Sequence, residues 1–178
     1  MDLKNISLKN LALYVSDHLR KNGIDTVLSG GACVTIYTDQ KYLSYDLDFV
    51  PVSFVDRRTL RSVLEEICFR EEGRHFAHED TPFYIDFIAP PLSVGSEPVK
   101  DISIIEEGDM VLKLLSPTDC TKDRLAAYYH WDDRQSLEQA ILVCKNNDID
   151  LKEIQRWSKI EGMSDKYLVF KRLLGENR

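Results

Sequence analysis

The sequence predicts an α+β protein: a mixed β-sheet core with flanking helices over residues 1–115, then a C-terminal helical bundle over 116–178, packed on it as one compact unit. Three observations carry this. Short β-branched or aromatic runs ("DTVLSG", "SYDLDFV", "FYIDFIAPP", "MVLKLL") alternate with helically spaced apolar residues in the first part. Beyond residue 115 every apolar pattern is helical. The 178 residues are 43% hydrophobic and 30% charged, enough to bury a domain-sized core without a long disordered segment.

The elements follow in order. Leu8, Leu11, Ala12, Val15 and Leu19 recur at helical spacing, and Gly23 ends that helix. "DTVLSG" is a short buried strand running into Gly30 and Gly31, and a helix starts within residues 32–37. Residues 44–50 form a second strand. An amphipathic helix over 56–70 turns Leu60, Val63, Leu64, Ile67 and Cys68 to one face. "FYIDFIAPP" is a third strand, stopped by Pro90 and Pro91. Residues 92–109 are loop with room for one short strand, and "MVLKLL" is a further strand. In the helical part, "SPTD" has Ser116 as N-cap, Pro117 at the first position and Asp119 as the acidic third. "DDRQ" opens the next helix with Asp132 capping and Gln135 at the reciprocal position, and "DLKE" opens a third from Asp150 to Glu161. A last helix spans 164–174, with Gly175 after it.

Net charge is −7 and the isoelectric point about 5.1, which argues against adhesion to nucleic acid by bulk charge but leaves room for a local basic patch. Cys33, Cys68, Cys120 and Cys144 are dispersed, without a C-x-x-C pair, so the expectation is buried reduced thiols rather than disulfides or zinc. No stretch approaches the ~18 apolar residues of a membrane span. The expectation is a soluble, cytoplasmic protein without membrane partners.

Two aspartates in a strand are unusual, because strands disfavour Asp. In "SYDLDFV" alternation turns Tyr45, Leu47 and Phe49 one way and Ser44, Asp46 and Asp48 the other. Around Asp86, likewise, Phe83, Ile85 and Phe87 share a face and Asp86 points away. Three carboxylates gathered on adjacent strands would repel one another by about 4 kcal/mol per pair at ~4 Å and an effective dielectric of ~20. They are tolerable if the strands are not neighbours, if one acid is protonated, or if cations sit among them. Hard oxygen ligands with open positions suit Mg²⁺ or Mn²⁺. A solvated acidic sheet face is the plainer alternative for D-x-D alone. Upstream, Gly30 and Gly31 lie where strand turns to helix, and backbone N–H groups there can approach a phosphate.

This order of features resembles the nucleotidyltransferase superfamily with its polymerase-β-like fold, closest to the AbiEii and MenT-like toxin branch. Ser44, Asp46 and Asp48 match its Ser-x-Asp-x-Asp, with Leu47 and Phe49 in the apolar slots, while Tyr42 stands where arginine is usual, with Lys41 beside it. Asp86 in "YIDFI" resembles the third metal carboxylate. "LLSPTDCTKDRLAAYYHWDDRQSLEQA" is similar to the later motif, with Arg124 where lysine is usual, Lys122 as an alternative cation, and Asp133 or Asp132 as the later acid. Helical spacing sets Lys122, Ala126 and Tyr129 on one side and Arg124 and Tyr128 on another, so only one cation can face the cleft easily.

The resemblance implies NMP transfer from an NTP to an acceptor hydroxyl of tRNA, another RNA or a protein. Asp46, Asp48 and Asp86 would hold Mg²⁺ or Mn²⁺, and Ser29, Gly30, Gly31 and Ser44 would hold the triphosphate, with Lys122 or Arg124 on its phosphates and Asp133 alongside. A toxin or phage-defence effector with an antitoxin partner is the biological setting implied. The competing readings are a catalytically silent nucleotide- or protein-binding module of the same fold, and a plain α+β interaction domain. His75 and His78 of "HFAH" are expected in a loop, "YYHW" and Trp157 packed in the core, with base stacking by "YYHW" the lesser option, and "DRRTLR" on a solvated helix face, with an RNA contact by Arg57, Arg58 or Arg61 the lesser option.

Overall fold

A computed structural model describes residues 3–176. The chain runs α1 (Leu8–Lys21), β1 (Thr26–Ser29), α2 (Gly30–Tyr37), β2 (Asp46–Pro51), α3 (Arg57–Glu65), β3 (Arg70–Glu72), β4 (His75–Ala77), β5 (Tyr84–Phe87), β6 (Ser93–Val94), β7 (Glu97–Pro98), β8 (Ile102–Glu107) and β9 (Met110–Leu115). Four helices follow: α4 (Pro117–Trp131), α5 (Arg134–Asn146), α6 (Leu151–Ile160) and α7 (Ser164–Glu176). The fold is α+β, as expected.

Seven strands form one mixed sheet in the order β3-β4-β5-β2-β1-β9-β8. β1 pairs β2 antiparallel and β9 parallel, while β2 pairs β5 parallel, so β2 lies between β1 and β5. One sheet face and helices α1–α3 enclose the main core, where Leu11, Leu13, Leu28, Cys33, Leu47, Phe49, Phe76 and Ile85 are fully buried. Leu47, Phe49 and Ile85 are alternate residues of β2 and β5, which leaves Asp46, Asp48, Tyr84 and Asp86 on the opposite face. A second core, centred on the fully buried Trp157, joins Leu125 and Tyr129 of α4 with Ala140, Ile154 and Phe170, and reaches back to Val94 in the small β6–β7 ribbon. α4 and α5 serve both cores: Cys120 and Val143 belong to the first, Leu125 and Leu137 to the second.

Several expectations change. α3 ends at Glu65, because Cys68 takes a left-handed φ of 63° and the chain turns into the β3–β4 hairpin. Residues 70–77, charged and short on β-branched residues, gave no strand signal, yet they extend the sheet edge, with His75 in β4 rather than a loop. Within residues 92–109, where loop and one short strand were expected, lie the small β6–β7 ribbon and a six-residue strand, 102–107, paired along β9. Asp133, not Asp132, caps α5; Asp132 ends α4 with a φ of 52° and pairs with Lys166. Helix α7 continues through Gly175. Of the cysteines, Cys33 and Cys120 are buried, Cys144 is half-buried and Cys68 is exposed. In "YYHW" only Tyr129 is fully packed, stacked on Trp157 with its hydroxyl on Ser158 at 2.8 Å, while Trp131 stands out in solvent. Among the described residues no helix is long and apolar enough to cross a membrane.

Candidate active site

The parallel register of β2 and β5 sets Asp48 directly opposite Asp86, with Asp46 opposite Tyr84. Neighbouring strands lie about 4.8 Å apart, so the acids stand side by side on one face. Of the options that would make such a cluster tolerable, separation of the strands does not apply. The cost falls on Asp48: burial, then Asp46 and Asp86, push its carboxyl up to about 6, against the partial relief of Arg124.

The glycine turn lies on the same carboxylate. Gly30 has a φ of +68°, and a Cβ there would come within 2.2 Å of Asp48 Oδ2. A Cβ on Gly31 would meet Ser44 Oγ at 2.9 Å. Gly30 is therefore favoured by both its φ and its packing, a side chain on Gly31 would displace Ser44, and the turn brings the N-terminus of α2 against Asp48. Ser29, at the cap position, does not cap the helix. Its hydroxyl instead donates to the Asp48 carbonyl at 3.2 Å, leaving the first-turn N–H groups of α2 without a side-chain cap. Ser44 is buried, receives the Asp46 N–H at 3.3 Å, and donates its own N–H to Thr35 Oγ1 at 2.8 Å, fixing the entry into β2. Tyr42 packs towards Gly31, and Lys41 turns away to Asn146.

The two cations of α4 part company. Arg124 lies near enough to Asp48 to lower its carboxyl and is anchored by Asp123, with Gln139 accepting at 3.4 Å. Burial opposes its charge and Asp123 outweighs that. Lys122 is 6% exposed and tied to Asp119 at 3.0 Å and Glu153 at 2.8 Å, beside a separate polar cleft of about 510 Å³ with Arg156 and Glu97. It is not brought to the aspartates. Asp133 accepts the Gln135 and Ser136 N–H groups and the Ser136 hydroxyl at the start of α5. Arg124 lies near enough to lower its carboxyl, after the Ser136 bond and against burial.

Further residues complete the surroundings. Asp123 and Gln139 hold Arg124. On the β5 side a cleft of about 450 Å³ joins Asp48 and Asp86 to Arg57, Gly73, Arg74 and Ile88. Arg74 Nε lies 3.8 Å from Asp86 Oδ2. Arg57 was open to the sequence as a lesser option for an RNA contact, whereas Arg74 could be found only by knowing that residues 70–77 form a hairpin beside β5.

The donor set suits a hard cation in kind: three carboxylates share a face, and one is held back from ionising. Among the described residues no three His, Cys, Asp or Glu side chains converge on one point. That is compatible with Mg²⁺, which takes one or two protein carboxylates and fills its remaining positions with water and phosphate oxygens.

No known family pattern matches the chain, and comparison with characterised proteins finds no sequence relative. Solved structures do match it. The crystal structure of an antigenic nucleotidyltransferase-like protein from Paracoccidioides brasiliensis is similar at a TM-score of 0.64 and 14% identity, over 97% of this chain and 94% of that one. The solution structure of the antibiotic-resistance factor ANT(2'')-Ia is similar at a TM-score of 0.50 and 14% identity, over 99% and 98%. The chain thus has a nucleotidyltransferase-like fold, spanning nearly the whole of both neighbours. At these identities the likeness is one of fold.

Proposed function

We propose that the protein is a metal-dependent nucleotidyltransferase that moves NMP from an NTP to an acceptor hydroxyl. The observation that carries this is Asp48, a half-buried carboxylate raised by two neighbouring acids, partly relieved by Arg124 and lying under the Gly30 turn. Such a site costs stability and suits a cation and a polyphosphate. Asp46, Asp48 and Asp86 would hold Mg²⁺ or Mn²⁺, which when bound offsets phosphate charge and lowers the pKa of an attacking hydroxyl. The N–H groups at the start of α2, with Ser29 and Ser44 beside them, would receive the triphosphate. Arg124 would meet its negative charge. The acceptor oxygen attacks the α-phosphorus, the bond to pyrophosphate breaks, and the hydroxyl proton passes towards Asp86. Lys122 supports the turn around α6 in this reading, and Asp133 contributes through α5 and Arg124.

The spacing from Gly30–Gly31 to Ser44, Asp46 and Asp48 supports placement near the AbiEii and MenT-like branch. The acceptor would be tRNA, another RNA or a protein, in a toxin or phage-defence effector with an antitoxin partner. The test is label transfer. Purified protein is incubated with Mg²⁺, each α-labelled NTP in turn, and total RNA or cell extract, beside an Asp46→Asn/Asp48→Asn double variant. Label in an acceptor with the wild type alone supports the reading. A folded protein that binds Mg²⁺–NTP but transfers nothing is the silent binding module, and one that binds no NTP overturns both.

A further inference from the structure

We propose that the free edge of β8 pairs antiparallel with β8 of a second copy of the chain, joining two sheets into one about a two-fold axis at Ser103. This surface is independent of the transferase reading above.

The sheet has two edges, and they differ. β3, at one end, is three residues long and reads Arg-Glu-Glu, so both its length and its charge resist pairing. β8, at the other end, is six residues, Ile-Ser-Ile-Ile-Glu-Glu, without proline or lysine. It matches β9 one residue to one from Ile102 opposite Leu115 to Glu107 opposite Met110, so no bulge twists its outer side away. Alternate N–H and C=O groups of an edge strand point outward, and among the described residues those of β8 have no backbone partner beyond β9.

The two faces of β8 are also unequal. Ile105 packs against the main core and Glu107 pairs with Lys9 of α1, so Ser103, Ile105 and Glu107 lie on the helix-covered side. Ile102, Ile104 and Glu106 lie on the other side, where Ile104 is 57% exposed. An isoleucine left in solvent on a long unpaired edge marks a pairing surface.

Charge selects both the occupant and the register. A two-fold at Ser103 sets Ile102 opposite Ile104, and Lys100, just before β8, opposite Glu106, each pair occurring twice. Lys100 and Glu106 are exposed, and among the described residues neither has a salt bridge within its own chain. Four isoleucines then close over the axis on one face, flanked by two opposite-charge pairs. Other registers lose this. With Ile104 opposite itself, Asp101 would meet Glu107; with Ile102 opposite itself, Ile104 would meet Lys100. Odd slips would match the core-side residues of one copy with the solvent-side residues of the other. A second copy carries the required apolar spacing and charge order already.

The test is the molar mass of the full chain by sedimentation equilibrium, from about 1 to 100 μM. The expected result is a rise from 20.6 kDa towards twice that mass across the range. Ile104→Lys, which puts a charge into the edge, should weaken association by at least roughly tenfold. Lys100→Glu, which sets like charges opposite at two places, should weaken it roughly tenfold. The double variant Lys100→Glu/Glu106→Lys should restore the wild-type constant. All three positions are exposed, so the variants fold. Recovery in the double variant reports the register itself, because a general effect on folding would not reverse. A monomer throughout the range, including one that takes a strand of another protein instead, overturns the proposal. So does a dimer that both single variants leave unchanged, or a loss in Lys100→Glu that the double variant does not recover.

Discussion

Asp48 shows how a functional group can work against its own fold. A carboxyl raised to about 6 in the folded chain favours folding fully at low pH and loses that contribution as pH rises through 6. Above that, the half-buried charge costs up to about 3 kcal/mol relative to an unfolded aspartate. Asp48→Asn should therefore raise the thermal midpoint of metal-free protein at pH 7.5, with a gain that shrinks towards pH 4, while transfer falls by several orders of magnitude. A midpoint difference that stays flat with pH would contradict this account. Gly30 makes the complementary case. Gly30→Ala must both hold a left-handed φ and displace the Asp48 carboxylate, so it should cost well over the ~1 kcal/mol of a strained φ alone. Gly23, at a φ of +77° with open space around it, is the control, and Gly23→Ala should cost only that ~1 kcal/mol in denaturant titration.

Among the elements, the caps were the most legible. Ser116 receives the Asp119 N–H at 3.1 Å, and Asp150 receives those of Lys152 and Glu153, as their local patterns require. The α4–α5 corner was less legible because Asp132 and Asp133 are adjacent and both suit a cap. The choice depends on which residue takes the left-handed turn. Asp133→Ser keeps a capping oxygen and removes the charge. It should leave stability within about 0.5 kcal/mol, whereas Asp133→Ala should lose ~1 kcal/mol. If Asp133 acts on nucleotide through Arg124, Asp133→Ser should still raise the KM for NTP, and an unchanged KM would leave it a cap alone. The β3–β4 hairpin was invisible for another reason: its strands are three residues each and mostly polar, held in place by β5 and by Arg57 and Arg61 on Glu71.

On the scale of the molecule, the two cores share α4 and α5. Trp157 is the largest fully buried side chain and donates its indole N–H to the Val94 carbonyl at 3.2 Å. Trp157→Ala should cost about 3–5 kcal/mol. Because α4 and α5 cannot loosen without exposing Cys120 and Val143 of the first core, calorimetry should show one shifted transition. Two separate peaks would show that the cores unfold independently.

The sequence by itself determined that Asp46, Asp48 and Asp86 turn away from the core, since period-two alternation is a property of the local chain. It also placed the glycines at a strand-to-helix turn, and it reduced the α4 cations to a choice between Lys122 and Arg124. Only the tertiary structure made that choice, by packing Lys122 against Glu153 and leaving Arg124 on the side of Asp48. It alone set Asp48 beside Asp86, and it alone brought Arg57 and Arg74 to the edge of the same cleft. Those relations depend on which distant strands share hydrogen bonds, and local periodicity carries no record of register between them.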